Sequence, residues 1–231
     1  MTRDPGDPRD EPNYGIGEAA HYLALPKSTV RSWGFGQPYE TKGGRKVAPP
    51  VFRPARKAPP TLSFWNVVET YVLASIRRHH GVPLQKVRKA LAYVRREMNL
   101  ERPLIQQQFF TDGVDLFIDR YSVLINVTGP SQLELRSLMK RSVRRIDADP
   151  KGLAVRIFPW INSPDEPKTV EIDPTRGFGR LVVAGTGIPT EAIGDRFRAG
   201  DSVDHLADDY ELSRDQIEAA LRWEQCAAVA A

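Results

Sequence analysis

YGIGEAAHYLALPKSTVRSW, residues 14–33, decides the reading of the N-terminal region. Ile16, Ala19, Ala20 and Leu23 recur at i, i+3, i+4 and i+7, the spacing of one apolar stripe on a helix, and the small alanines let a second helix approach closely. Leu25 and Pro26 turn the chain. From about Lys27 a second short helix buries Val30 and Trp33. It leaves Lys27, Ser28, Thr29, Arg31 and Ser32 on its first turn or exposed side, as donors for phosphates and base edges. This is the outline of a helix-turn-helix. Residues 37–52 then place Gly43 and Gly44 between β-compatible flanks, which predicts a hairpin wing whose tip carries Lys42, Arg45 and Lys46. From Lys27 to Lys57 eight Lys or Arg stand against the single acid Glu40, a local charge of +7. A duplex phosphate backbone is the natural counterpart.

With IGEAAHYL at residues 16–23 and STVRSW at 28–33, the segment resembles the winged helix-turn-helix of the MerR and excisionase families. The resemblance covers about the first quarter of the chain and implies DNA binding.

Composition fits one or two ordinary cores, with 41% apolar residues in 231. Residues 1–12 are rich in Asp, Arg, Pro and Gly without an apolar run, and read as a loose arm rather than a signal peptide. Apolar stretches are too short for a bilayer span, so no membrane is expected. Cys226, the single cysteine, excludes an intramolecular disulfide and a Cys-based zinc site, which fits a reducing cytoplasm as the location. The formal net charge of +4 hides an asymmetry. Between Thr175 and Ala231 ten Asp or Glu face six Arg, a balance of −4, so the two ends suit different partners.

Past Pro59-Pro60, Ser63 is an N-cap for a helix bearing Phe64, Val67, Val68, Tyr71, Val72 and Ile76, with Gly81 as its stop. Pro83 opens another, with Leu84, Val87, Leu91, Val94 and Met98 in steps of three and four. This pair resembles the helices after the wing in MerR-like regulators, and implies core packing or a dimer seam. Lys86, Arg88, Lys89, Arg95 and Arg96 read as a solvated face or a DNA contact. In residues 106–127 the pieces QQFFTDG, VDLFID and YSVLINV, with Asp112-Gly113 as a turn, predict a small antiparallel sheet. Alternation and turn chemistry explain Asp112, Asp115 and Asp119 without a metal. Residues 131–147 read as a helix with Leu135, Leu138, Met139 and Ile146 inward. Its row of Arg136, Lys140 and Arg144, beside Arg141 and Arg145, is a second nucleic-acid candidate or a soluble face.

From Val170 the grammar is a strand, a Gly-rich turn and three short helices. Pro189-Thr190 starts the first and Gly200 stops it; Asp201 or Ser202 caps the second; Ser213 with Gln216 forms a capping box for the third. Gly185-Thr186-Gly187 lacks the Lys and Ser/Thr of a phosphate loop, and His205 lacks a second ligand at metal spacing. The helix 214–225 carries Asp215, Glu218 and Glu224 against Arg214 and Arg222, a poor match to DNA.

IDP at 172–174, GTGIPTEAI at 185–193, LS at 212–213 and IEAAL at 217–221 resemble a trihelical domain of unknown function found in bacterial antitoxin genes. Gly187 and Thr190 replace the arginine and valine frequent in that family. The combined architecture resembles VapB-type antitoxins. That resemblance implies a PIN-domain ribonuclease partner with a carboxylate-lined active site, operator DNA as second partner, and a homodimer within a hetero-oligomer. Arg176, Arg180, Arg196 and Arg198 are then candidates for the toxin contact. No catalytic set and no cofactor is expected. The alternative is a stand-alone MerR-like transcription regulator responding to a small ligand. The expected fold is mainly α with small β elements (α+β). It divides into an arm at 1–12, the DNA module at 13–58, middle helices and a small sheet at 59–168, and the trihelical module at 169–231.

Overall fold

The computed structural model describes residues 6–41, 44–77, 84–126 and 129–230, and its architecture is mainly α with small antiparallel sheets. Strand β1 (Tyr14–Gly15) leads into α1 (Ile16–Tyr22) and α2 (Lys27–Phe35), followed by the wing strands β2 (Gln37–Thr41) and β3 (Gly44–Ala48). Gly36 makes that exit possible. Its φ is +82°, and a Cβ there would stand 2.5 Å from the Ala48 carbonyl oxygen, so only glycine lets the chain leave α2 directly into the wing. After the wing, Val51 N–H donates to the Trp33 carbonyl at 2.7 Å, and β4 (Thr61–Leu62) pairs antiparallel with β1. The expected wing is thus present, with Lys42 and Gly43 outside the described residues.

Helix α3 (Phe64–Arg77) is buried from Phe64 through Ile76, and α4 (Leu84–Met98) buries Val87, Ala90, Leu91 and Val94. Ser63 caps α3 as expected, its Oγ accepting from Asn66 N–H at 3.2 Å. The expected stop at Gly81 and start at Pro83 lie outside the described residues.

Residues 106–127 differ from the expected sheet. A single π turn, Phe109–Gly113, runs into α5 (Val114–Ile125). Helical spacing lets Phe109, Val114, Phe117, Ile118 and Tyr121 all reach the core, and Phe117 and Tyr121, one turn apart, stack with ring centroids 5.5 Å apart. Gly113 is no hairpin turn: a Cβ there would meet the Phe109 ring at 2.7 Å and Met98 Sδ at 3.0 Å, so glycine lets the π turn close against α4. Burying one face of this segment outweighs the strand preference of its β-branched and aromatic residues. Asp115 and Asp119, read earlier through strand alternation, instead pair with Arg136 and Lys140 of α6 (Pro130–Val143). Among the described residues no His, Cys, Asp and Glu group could hold a metal.

Strands β5 (Ile146–Ala148), β6 (Ala154–Ile157), β7 (Val170–Ile172) and β8 (Leu181–Val183) form one antiparallel sheet in that order, with Ile157 opposite Ile172. The boundary expected at 168/169 therefore falls in the connection between two strands of a single sheet. Helices α7 (Thr190–Arg198), α8 (Val203–Tyr210) and α9 (Arg214–Ala230) follow, with Ser202 capping α8 and Ser213 and Gln216 making the capping box of α9. Val183, Ile193, Leu206, Ile217, Ala220 and Leu221 form their own small core.

The arm reads differently in space. Of residues 1–12, positions 6–12 are described, and a 3₁₀ turn at Pro8–Asp10 is pinned by Arg9, which pairs with Asp149 at 2.7 Å and lies over the Trp65 ring. These are long-range partners invisible to local composition.

Arg145 follows α6 and is 3% exposed. It donates to five backbone carbonyls, of Phe158, Pro159, Pro164, Glu166 and Pro167, and so organises the proline-rich turn between β6 and β7. Burial holds its pKa below the usual arginine range. Arg145→Met leaves those acceptors without a donor and should lower unfolding stability by about 3 kcal/mol, whereas exposed Arg144→Met should change it by less than about 0.5 kcal/mol, measured by urea denaturation.

Candidate nucleic-acid and partner interfaces

Helix α2 presents its polar residues as the apolar spacing requires. Val30 and Trp33 are buried, Lys27, Ser28 and Arg31 are exposed, and Thr29 and Ser32 are half-buried. Ser32 Oγ donates to Gln37 Oε1 at 3.3 Å, which joins the end of α2 to the first residue of the wing. Strand alternation then puts Tyr39, and Lys46 directly opposite it, on the same wing face as Gln37. Both are exposed, Tyr39 by 49%. A polar track of Ser28, Ser32, Gln37, Tyr39 and Lys46 thus runs from the helix onto the hairpin. Gln37 and Tyr39 were missed in the sequence because neither is basic; the strand period that places them was available. The backbone of Arg45 lies in β3, opposite Glu40, and Lys42 lies outside the described residues.

The remaining cations divide. Arg53, Arg56 and Lys57 are exposed on the loop after the wing, whose course is fixed by Asn66, accepting from Ala55 N–H and donating to the Arg53 carbonyl. Arg88 of α4 donates to the Pro49 carbonyl at the base of the wing. On α6, Arg136 and Lys140 are taken up by Asp115 and Asp119, and Arg141 by Asp165. Most of that row is internal pairing, with Arg144 left exposed.

The four arginines of the C-terminal region are not brought together. Arg196 pairs with Asp201 and Asp209 and lies over the Tyr210 ring, contacts that raise its pKa, the hydrogen bond to Asp209 foremost. Arg198 pairs with Asp195. Arg176 and Arg180 stand exposed on the loop between β7 and β8, Arg176 3.5 Å from Glu171 and Arg180 without an ion pair among the described residues.

A buried polar contact links the two modules. Glu224 of α9, 5% exposed, lies 3.1 Å from His21 Nε2 of α1 and accepts from Thr190 Oγ1 at 2.7 Å. Burial disfavours the Glu224 charge, but the hydrogen bonds from His21 and Thr190 prevail and hold its pKa below the ordinary 4.5. The hydrogen bond to Glu224 raises His21 above its ordinary 6.5. The acidic module is therefore docked on the first helix of the helix-turn-helix, and the exposed side of α2 is left open.

Residues 12–91 match the family described as "Putative DNA-binding HTH domain", and residues 170–223 match the family described as "Protein of unknown function (DUF433)". A relative from Mycobacterium tuberculosis named "Putative antitoxin VapB45" is 29% identical over 92% of this chain and 93% of its own length. The chain is a homologue of that protein. A second relative from the same organism, "Uncharacterized protein Rv2308", is 29% identical over 92% of this chain and 90% of its own. The crystal structure of Rv2018 from M. tuberculosis superposes with a TM-score of 0.66 at 25% identity, covering 91% of this chain and 97% of that one. The likeness spans both modules and the middle region between them.

Two outcomes follow from this geometry. Arg31→Ala should weaken binding to all duplexes and reduce the salt slope by about one, while Thr29→Ala should change the ranking of operator variants, both read by fluorescence anisotropy across a salt series. The His21–Glu224 pair contributes fully between the ordinary glutamate value of 4.5 and the ordinary histidine value of 6.5. Above that window His21 loses its proton as pH passes its raised pKa; below it Glu224 gains one as pH falls through its lowered pKa. Thermal melts should show about 1 kcal/mol of stability lost between pH 6.5 and 8.5 in the native chain, and a flatter profile for His21→Gln.

Proposed function

We propose that this chain is a DNA-binding antitoxin: α2 and the wing read operator DNA, and the C-terminal module holds a PIN-domain ribonuclease inactive. The complex represses its own operon and works in the cytoplasm, with the chain as a homodimer inside a hetero-oligomer. The observation that carries this reading is the end-to-end similarity to the protein named as an antitoxin, over 92% of this chain and 93% of that one. The match of residues 12–91 to a DNA-binding helix-turn-helix family supports the operator arm. The charge division supports two partners, since a basic face suits phosphate while the acidic module repels it. Among the described residues no helix is long and apolar enough to cross a membrane.

The DNA contacts of this reading are Lys27, Ser28, Thr29, Arg31 and Ser32 on α2 and Lys42, Arg45 and Lys46 on the wing. Arg176, Arg180, Arg196 and Arg198 remain its toxin-facing set. Arg180 is the better placed, because Arg196 and Arg198 are already neutralised by Asp201, Asp209 and Asp195, and Arg176 lies 3.5 Å from Glu171. A cation bound to its own carboxylates has less charge to offer a carboxylate-lined active site.

Expression of the tagged chain with the open reading frames that flank its gene, followed by a high-salt wash and mass determination, tests the reading. A stoichiometric nuclease whose RNase activity returns on dissociation is the expected result. Recovery of the chain alone, or with DNA alone, would instead mark a stand-alone regulator.

A further inference from the structure

The loop between β7 and β8 reads Asp173-Pro174-Thr175-Arg176-Gly177-Phe178-Gly179-Arg180. Its base is fixed. Asp173 Oδ1 accepts from Thr175 N–H at 2.8 Å and from Thr175 Oγ1 at 2.6 Å, and Asn13 Nδ2 donates to the Phe178 carbonyl at 3.3 Å. A Cβ at Gly177 would stand 2.7 Å from Val182 Cγ1, and one at Gly179 would stand 2.3 Å from Tyr14 Oη. Both glycines are therefore required for the loop to lie on β8 and on the start of the helix-turn-helix.

At the tip three successive residues hold positive φ: Gly177 at +53°, Phe178 at +58° and Gly179 at +76°. For glycine this is ordinary, but for a bulky aromatic it is unfavourable. The described residues bury little of the ring. Phe178 is 90% exposed, and no other large apolar side chain among the described residues is more so. A strained backbone that is held from both sides and directs an apolar ring into solvent is a feature that stability does not explain.

Exposed Arg176 and Arg180 flank the ring. An aromatic anchor rimmed by arginines is the composition of a binding hot spot, and its complement is an apolar socket edged with carboxylates. Duplex DNA is also an anion, yet the segment Thr175–Ala231 carries a balance of −4, which repels phosphate. A rigid protruding ring also gains more from a socket than from a charged groove.

We propose that Phe178 is a preorganised anchor that enters an apolar socket on the protein partner while Arg180, with Arg176, pairs with carboxylates at its edge. This rests on the antitoxin reading, and it identifies the residue that makes the partner contact specific.

The test uses the full-length chain and the flanking-gene nuclease as probe. Affinity for that protein and for operator duplex is measured for the native chain, Phe178→Asn, Arg180→Glu and the exposed control Val123→Asn. Asparagine tolerates the left-handed conformation, so Phe178→Asn keeps the loop and removes the ring. Its melting temperature and DNA affinity should match the native chain, while affinity for the nuclease falls about 30-fold or more. Arg180→Glu should lose about tenfold and flatten the salt dependence, with Val123→Asn unchanged. If the native chain binds the nuclease and Phe178→Asn binds equally well, the anchor is wrong and the antitoxin reading stands. Loss of DNA affinity instead of nuclease affinity would move the ring to the duplex and overturn the assignment. No binding by the native chain removes the antitoxin reading and the anchor together.

Discussion

Glu69 sits in the buried stretch Phe64–Ile76 of α3 and is 2% exposed, and a carboxylate in that position must be paired. Arg102, from the turn after α4, reaches it at 2.9 Å, and Asn66 donates to the same oxygen at 2.9 Å. Each partner carries the connection further. Arg102 also binds Asp10 at 2.8 Å, and Asn66 holds the backbone at Arg53 and Ala55. Trp65, one turn away, lies under both Arg102 and Arg9 and donates to the Ala154 carbonyl. Satisfying one buried charge thereby ties the N-terminal turn, the basic loop behind the wing, the central helices and the four-stranded antiparallel sheet into one network. The helix-turn-helix is mounted on that network and is not a separate bead.

The second constraint is the seat of the C-terminal module on α1. Buried Glu224 needs polar partners, and it finds them on two other elements, His21 of α1 and Thr190 of α7. Gly194 makes the approach possible, since a Cβ there would meet Glu224 Cγ at 3.0 Å. Docking on the first helix rather than the second keeps acidic α7–α9 away from the polar side of α2. A chain with opposite charges at its two ends avoids neutralising its own DNA face in this way.

Charge runs along the sequence overstate what reaches solvent. Arg136, Lys140, Arg141, Arg144 and Arg145 read as a basic helix face, yet three pair with Asp115, Asp119 or Asp165, Arg145 is enclosed by carbonyls, and Arg144 alone of the five stays exposed. The run Lys27–Lys57 reads the same way by count and keeps Lys27, Arg31, Lys46, Arg53, Arg56 and Lys57 exposed. The difference is the supply of acids: long-range carboxylates meet the first group, and Glu40 is the single acid within the second segment.

Local periodicity and capping chemistry were sufficient for the helix-turn-helix, the wing and the three C-terminal helices, because each is specified by side chains a few residues apart. Ile16 to Leu23, the Gly-rich wing turn, Ser63, Ser202 and the Ser213–Gln216 box are all contacts within one or two turns of chain. Residues 106–127 were not legible in that way. Their aromatic and β-branched content favours strands, and the helix exists because α4 and α6 offer a surface that only a helical Phe109–Phe117–Tyr121 face can fill. The same holds for the pinned N-terminal turn, the Arg145 enclosure, the sheet that crosses residues 168 and 169, and the His21–Glu224 contact. Sequence by itself determined the helix-turn-helix, its wing and the three C-terminal helices; tertiary structure decided the helical state of residues 109–125, how the elements dock and which charges stay free, because burial and long-range pairing act between residues that no local pattern connects.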